Sequence, residues 1–409
     1  MMKSFLEWKP IRQLRVWVSF LSLMDSGVTC ELTSDIIEEI LLRLDAKSVM
    51  RCKCVCKSWL SLISHPSFKH RHLERQVPCV VLHLGSPLNN FQRLFSFRSS
   101  ENFDQIWSEL CPVEILNWTM GFVGSQNGVI CLFNRSRDGG VYLWNPAIKK
   151  LKKLASSPPP PTHFYVHGFV YEPLANDFKV VAIPESGQQD CVNFFKRGSQ
   201  VGVYSLGSDS WKNVEMPDIF SDPAVITVPH RMYSVVVNGC IHWIVNYGRE
   251  AQEQLQGYSV GIVAFDPRTE VFKLIKLPPS LEPFDVGSMC NWSGCLSLVT
   301  SYSPGLIEIW VMKKYGVSDS WTKHFSFDLV KHLPSVQGNC FSPVALSDNG
   351  NLLLQLISVQ HTGNGFTGLD IFRTLASYDP KSNKVQYLSP QSKTDISAFT
   401  TYVESIFLS

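Results

Sequence analysis

One pattern keeps returning after Pro78. A tight Asn-Gly or Gly turn leads into an apolar strand, and an aromatic strand ending in a second turn follows. NGVICLF begins at Asn127, NGCIHWIV at Asn238, GCLSLVTSY at Gly294 and NGNLLLQL at Asn349. Their partners are VYLWNPAIKKLKKL, IVAFDPRTEVFKLIKLP, IEIWVMKKYGVSDSWTKHFSF and LASYDPKSNKVQYL. Strands of four to seven residues between Gly, Asn, Asp and Pro turns are an all-β signature. In WNP, FDP and YDP the aromatic residue is expected to pack inward, the Asn or Asp to cap a turn, and Pro to set its φ. The intervals from Asn238 to Gly294 and from Gly294 to Asn349 are 56 and 55 residues, near the length of a propeller blade. Each unit is a small sheet that cannot bury its own two faces, so units must stack radially, as in a β-propeller. An elongated sandwich of the same strands is the competing architecture.

The amino-terminal part obeys another period. In LTSDIIEEILLRLDAKSVMRCKCVCKSW, from Leu32 to Trp59, the residues Ile36, Ile37, Ile40, Leu41 and Leu44 recur at helical spacing. Asp35 is placed as an N-cap with Glu38 three residues on. Asp45 introduces a second helical face carrying Val49, Cys52, Val55, Cys56 and Trp59. About forty residues rarely bury that many apolar side chains alone, so part of this surface is expected to belong to a partner. Residues 46–76 hold seven Lys and Arg against Glu74, which would steer an acidic partner or merely form a solvated face.

The segment resembles the F-box, whose pattern is carried here by Leu32, Asp35, Ile36, Ile37, Glu39, Ile40, Leu41, Arg43, Leu44, Lys47, Ser48, Val49, Arg51, Val55, Cys56, Lys57 and Trp59. Thr33 and Asp45 replace the family's prolines, and each can start a helix as a hydroxyl or carboxylate cap. The later part resembles the F-box-associated domain of plant F-box/kelch-like proteins. Its elements appear in order at Trp144-Asn145-Pro146, Tyr204 to Trp211, Val237 to Trp243, Phe265 to Phe272 and Ile309 to Lys323. A paired Gly-Gly occurs only at Gly139–Gly140, so strict kelch repeats are not present. The expected fold class is α+β multidomain: a poorly ordered extension over 1–27, a small helical F-box over 28–76, and an all-β propeller-like domain over 77–409.

The resemblance implies a non-catalytic substrate receptor. The F-box would bind a Skp-family adaptor, and through it cullin and RING subunits, while the β domain holds an unknown target protein for ubiquitination. Leu32, Ile36, Ile40, Leu41, Leu44, Val49, Val55, Cys56 and Trp59 would form the helical core and adaptor face, with Arg51 and Lys57 as polar rim contacts. Two alternatives stay open: a protein-binding module with a degenerate F-box, and a small-molecule-dependent receptor. The expected location is cytoplasm or nucleus.

Other features carry bland readings. A net charge of +2 makes no global case for nucleic acid or membrane, and the apolar run VWVSFLSLM is too short to span a bilayer. Met24 is a possible alternative start. The twelve cysteines include no C-x-x-C; Cys52, Cys54 and Cys56 are expected as buried thiols in a helical pattern. His65, His70 and His72 are expected as surface histidines, and His242 as a half-buried strand residue. The lysines of 149–153 should alternate on a strand, and SSPPPP at 156–161 should form a stiff connection. No nucleophile elbow, phosphate-cradling loop or zinc hydrolase helix is found, so no catalytic residue, metal or cofactor is expected.

Overall fold

The computed structural model describes residues 33–85, 94–99, 105–110, 120–134, 140–155, 164–184, 193–195, 200–216, 225–228, 234–248, 259–281, 286–302, 306–328, 331, 340–346, 351–361, 369–379, 382, 384–387 and 395–409. Leu32, Met24, the extension over 1–27 and the proline run at 156–161 lie outside the described residues.

Four short helices come first: α1 (Ser34–Leu41), α2 (Ala46–Cys52), α3 (Lys57–Ser64) and α4 (Pro66–Glu74). Every later element among the described residues is a strand or a short turn, and the strands form six antiparallel sheets. The second sheet is typical, with strands Met120–Gln126, Val129–Asn134, Val141–Asn145 and Lys150–Lys153 in spatial order. The innermost strands touch in sequence, from Asp395–Tyr402 through Met120–Gln126, Phe164–Glu172, the strands at 235–248, Val286–Trp292 and Cys340–Leu346, and back to the first. That closed ring is a β-propeller, and it sets the sandwich alternative aside. The first sheet is completed by the last strand, Asp395–Tyr402, which pairs antiparallel with Cys79–Gly85. In the fourth sheet the inner position is split, because Val225–Val228 and Val235–Val237 both pair with Cys240–Gly248.

The interior lies between neighbouring sheets. Val170, Val181 and Val203 of the third pack on Ile241, Trp243 and Phe265 of the fourth, and Met289, Leu298 and Met312 of the fifth pack on Ile244 and Ile262. Each fully buried side chain of this size contributes about 1.5–3 kcal/mol, which no single sheet could collect on two wet faces. The SDSW turns serve the same stacking. Trp211, second in the outer strand of the third sheet, donates its indole N–H to Ala155 O, just past the second sheet's outer strand, at 2.7 Å. Trp321, first in the fifth sheet's outer strand, does the same to Lys276 O, just past the outer strand of the fourth, at 3.1 Å.

The turn chemistry follows the residue types. Asn127-Gly128, Asn238-Gly239 and Ser293-Gly294 all have both residues at positive φ, the geometry a two-residue hairpin needs. Asn349 lies outside the described residues. Asp266 accepts from the Arg268 amide at 2.9 Å and Asn145 from the Ala147 amide at 3.1 Å, as capping residues do. His242 is buried, against the half-buried strand position expected. Its Nδ1 donates to Val235 O at 3.1 Å, which leaves Nε2 to accept from the Tyr315 hydroxyl at 2.8 Å. Burial holds this imidazole neutral, down to a pKa of about 4. Lysines 150 and 153 of the second sheet's outer strand are exposed, and Lys152 pairs with Asp209 at 3.1 Å.

Two of these glycines separate backbone strain from crowding. A methyl group on Gly128 would lie 2.3 Å from Ser405 Oγ and 2.5 Å from Val403 O, whereas one on Gly239 would meet nothing within 4 Å. Both have φ near +72°, at +73° and +72°. Gly239→Ala should therefore cost only the left-handed strain, about 1 kcal/mol, and Gly128→Ala at least about 2 kcal/mol. Equilibrium urea unfolding of both variants checks the order; equal losses would show that the carboxy-terminal segment does not press on the hairpin.

Candidate functional site

The helical unit starts from its caps. Asp45 is the N-cap of α2, its carboxylate accepting from the Ser48 amide at 2.7 Å and the Ser48 hydroxyl at 2.9 Å. Thr33 occupies the corresponding position before α1 but makes no side-chain cap bond, and Asp35 stands in the first turn instead of capping. Helix α2 ends at Cys52, and a turn over Lys53–Val55 leads to Cys56, the N-cap of α3. The single helical face expected for Cys52, Val55, Cys56 and Trp59 is thus broken into two helices. Only Cys52 of the three cysteines is buried; Cys54 and Cys56 are exposed. The Ser58 hydroxyl, 3.0 Å away, together with the Trp59 amide, lowers the Cys56 thiol pKa.

The predicted residues divide sharply by burial. Leu41, Leu44 and Val49 are 1%, 4% and 0% exposed and form the interior with Leu42, Ala46, Cys52, Ile63 and Phe68. They supply the core part of the expected core and adaptor face. Ile40 and Trp59 are half-buried, and Arg51, Cys56 and Lys57 are exposed. Ile36 and Val55 are 47% and 61% exposed, and Leu60, which the sequence reading did not single out, is 46% exposed. Lys47, Arg51 and Lys57 are also turned to solvent. The unit therefore carries exposed apolar side chains and exposed positive charges over an interior that is already filled.

Charge ties α1 to α4. Arg71 reaches Glu38 at 2.5 Å and Glu39 at 3.0 Å, and Arg75 reaches Glu39 at 2.9 Å. The Arg75 hydrogen bond leads the lowering of the Glu39 pKa. The arginines are exposed and the glutamates partly so, so such pairs fix geometry more than they add stability. The histidines also serve structure. His65 caps α4, accepting from the Ser67 amide at 3.3 Å. His72 is buried rather than at the surface, donating from Nε2 to Leu44 O at 2.8 Å, and desolvation lowers its pKa. His70, half-buried, meets the Tyr171 hydroxyl at 2.7 Å on the third sheet of the ring. Among the described residues no three His, Cys, Asp or Glu are placed to hold a metal ion.

The back of the unit faces the ring. Ala147, in the turn after Trp144-Asn145-Pro146, and Ile406, from the carboxy-terminal segment, are both buried within the helical interior. Asn145 is wholly buried, and its amide donates to Ser405 O at 3.0 Å and Phe407 O at 2.9 Å. The sequence placed Asn145 as a turn cap; its second task, holding a segment 260 positions away, has no local signal.

Residues 84–400 match the family model described as the F-box associated beta propeller domain, and residues 30–71 match the F-box domain. The F-box protein CPR1 of Arabidopsis thaliana is 29% identical over 346 residues, covering 79% of this chain and 79% of that protein. An F-box/kelch-repeat protein of the same plant is 28% identical, covering 71% and 78% of the two chains. Among solved structures, apo AztD from Citrobacter koseri aligns with 79% of this chain and 89% of its own, at 12% identity and a TM-score of 0.39.

The seam between helices and ring contains a titrating group whose effect has a definite sign. Glu404 accepts from the Ala46 amide at 3.2 Å. Burial and then the Asp45 carboxylate raise its pKa above the usual 4.5, against the Ala46 bond and Lys47. Cys79, whose thiol is pushed to about 12, and Tyr402 also face it. A raised native pKa favours the protonated form, so this contribution is complete below about 4.5 and lost as pH rises through the native value. Glu404→Gln keeps the acceptor without the charge. It should match the parent near pH 4 and become the more stable of the two toward pH 7, measured by urea unfolding across that range; a variant weaker at pH 7 would contradict the assignment.

Proposed function

The chain belongs to the family that joins an F-box to an F-box associated β-propeller domain, and on that premise we propose that it is a substrate receptor of a Skp–cullin–F-box ubiquitin ligase. The F-box docks to a Skp-family adaptor, which links it to cullin and RING subunits, and the propeller holds a target protein. The chain supplies no nucleophile to the transfer; it raises the effective concentration of target lysines near a conjugating enzyme. It would act in the cytoplasm or nucleus.

One observation carries this reading. The F-box keeps Ile36, Val55 and Leu60 exposed although its interior is complete and its back is already seated on the ring. Apolar side chains left outside a satisfied core fit contact with another protein. Exposed Lys47, Arg51 and Lys57 suit an acidic surface and would speed encounter at low salt. The ring meets the F-box at Ala147 and, through the Tyr171 hydroxyl, at His70, and a target would be held away from that side.

Ile36→Asp combined with Val55→Asp should reduce capture of a purified Skp-family adaptor at least tenfold, since anchors of this kind dominate interfaces. Its thermal unfolding should stay close to the parent's, because surface changes usually cost within about 0.5 kcal/mol. Leu44→Ala is the contrasting control: it should weaken capture only by unfolding the F-box, at about 2–5 kcal/mol. Adaptor capture by the double variant at parental strength would sink the proposal.

A further inference from the structure

The carboxy-terminal residues after the last strand do more than end the chain. Tyr402 pairs with Cys79, so the tail leaves the ring beside the point where the chain passes from F-box to propeller. From there it runs into the seam between the two. Glu404 takes the Ala46 amide of α2. Ser405, fully buried, lies against Gly128 and is held by the Asn145 amide. Ile406, with no exposed surface, sits in the F-box interior among Leu41, Leu44, Val49 and Phe68.

Phe407 packs the other way, against Phe169, Tyr171 and Phe178 of the third sheet. Its ring also meets the edge of His70 from α4, with centroids 5.4 Å apart. Ser409 accepts from Lys69 at 3.5 Å and its hydroxyl meets Lys53 at 3.0 Å. Consecutive side chains thus insert into different bodies: Ile406 into the F-box, Phe407 into the propeller.

We propose that residues 404–409 are a clamp that locks the F-box and the propeller into one rigid body, with Ile406 and Phe407 as its two jaws and Asn145 as its anchor. The covalent connection at 75–78 runs largely through solvent-facing residues. Arg75 and Val77 are exposed, and Val77 is 77% exposed. The clamp fixes where the docking face stands relative to the target end. Its consequence for ubiquitin transfer rests on the proposed function, whereas the clamp itself does not.

Two variants of the full chain test it. In the first, eight Gly and Ser residues are inserted between Val77 and Pro78; in the second, Ile406→Ala and Phe407→Ala are added to that insertion. Small-angle scattering should give the first variant the parent's maximum dimension, and the second a clearly larger one with at least tenfold faster trypsin cleavage at Arg75. The propeller's own unfolding transition serves as the fold control. Expansion on linker insertion alone would overturn the clamp. So would a second variant as compact and as resistant as the first. If the second variant loses the propeller transition, the linker insertion alone decides.

A reconstituted assembly with adaptor, cullin and RING subunits adds a readout specific to positioning. Using the chain itself as the ubiquitin acceptor, the second variant should modify a broader set of its own lysines than the first while capturing adaptor equally well. An unchanged lysine pattern in a loosened variant would limit the clamp to a structural role and overturn its positioning role. Failure of the parent chain to capture adaptor would instead refute the proposed function and leave the scattering result standing.

Discussion

Everything in this molecule depends on how the ring of sheets is closed. A four-stranded sheet has two apolar faces and no means of covering either, so the six sheets must enclose one another. Closure comes from pairing the last strand with the first strand of the ring, Tyr402 beside Cys79 and Phe399 beside Leu82. That register has a geometric effect beyond sealing an edge. It brings residue 403 next to residue 78, and so delivers the tail to the F-box without any search through space. Docking the tail then costs little loop entropy, because the strand pairing has already brought its ends together.

The F-box and the propeller are consequently poor candidates for independent bodies. Ala147 and Ile406 come from outside the F-box yet are 9% and 0% exposed within its interior. Removing them would open a cavity against Leu41, Val49 and Phe68, and a cavity of that kind costs in proportion to the volume that does not collapse. Asn145 makes the coupling tighter. Its carbonyl caps its own turn while its amide satisfies Ser405 O and Phe407 O, so a single buried side chain serves the propeller turn and the tail together. Buried carbonyls left without those donors would each lose about 1–3 kcal/mol.

Much of the fold was legible because its signals are local. Asn127-Gly128 and Asn238-Gly239 state hairpin geometry in two residues, Asp45 states a cap three residues before its partner, and the repeat length states stacking. Where sequence reasoning failed, a distant contact had overridden a local pattern. The spacing of Cys52, Val55, Cys56 and Trp59 fits one helix, but the chain turns at Lys53–Val55 and restarts with Cys56 as a cap. His72 reads as polar and lies buried because Leu44 O, 28 positions earlier, accepts its proton. Leu41, Leu44 and Val49 read as core and adaptor face together and lie in the core; periodicity identifies an apolar face without saying which of its residues the same chain already covers. Ile36, Val55 and Leu60 differ from them only in tertiary context.

That distinction bears on what the exposed residues can do. An interface built on Leu44 would require the F-box to open, paying for a disrupted core before any contact with a partner formed. An interface built on Ile36, Val55 and Leu60 requires no such rearrangement, since these side chains already stand outside a filled interior. The F-box's inward surface is occupied by Ala147 and Ile406, so the proposed docking uses the outward one. Under the proposed function, binding at that surface would leave the seam intact, and a clamped seam would transmit the partner's position to the far end of the ring. The filled interior is therefore what makes the outer face useful: it separates the residues that hold the two domains together from those left for another subunit.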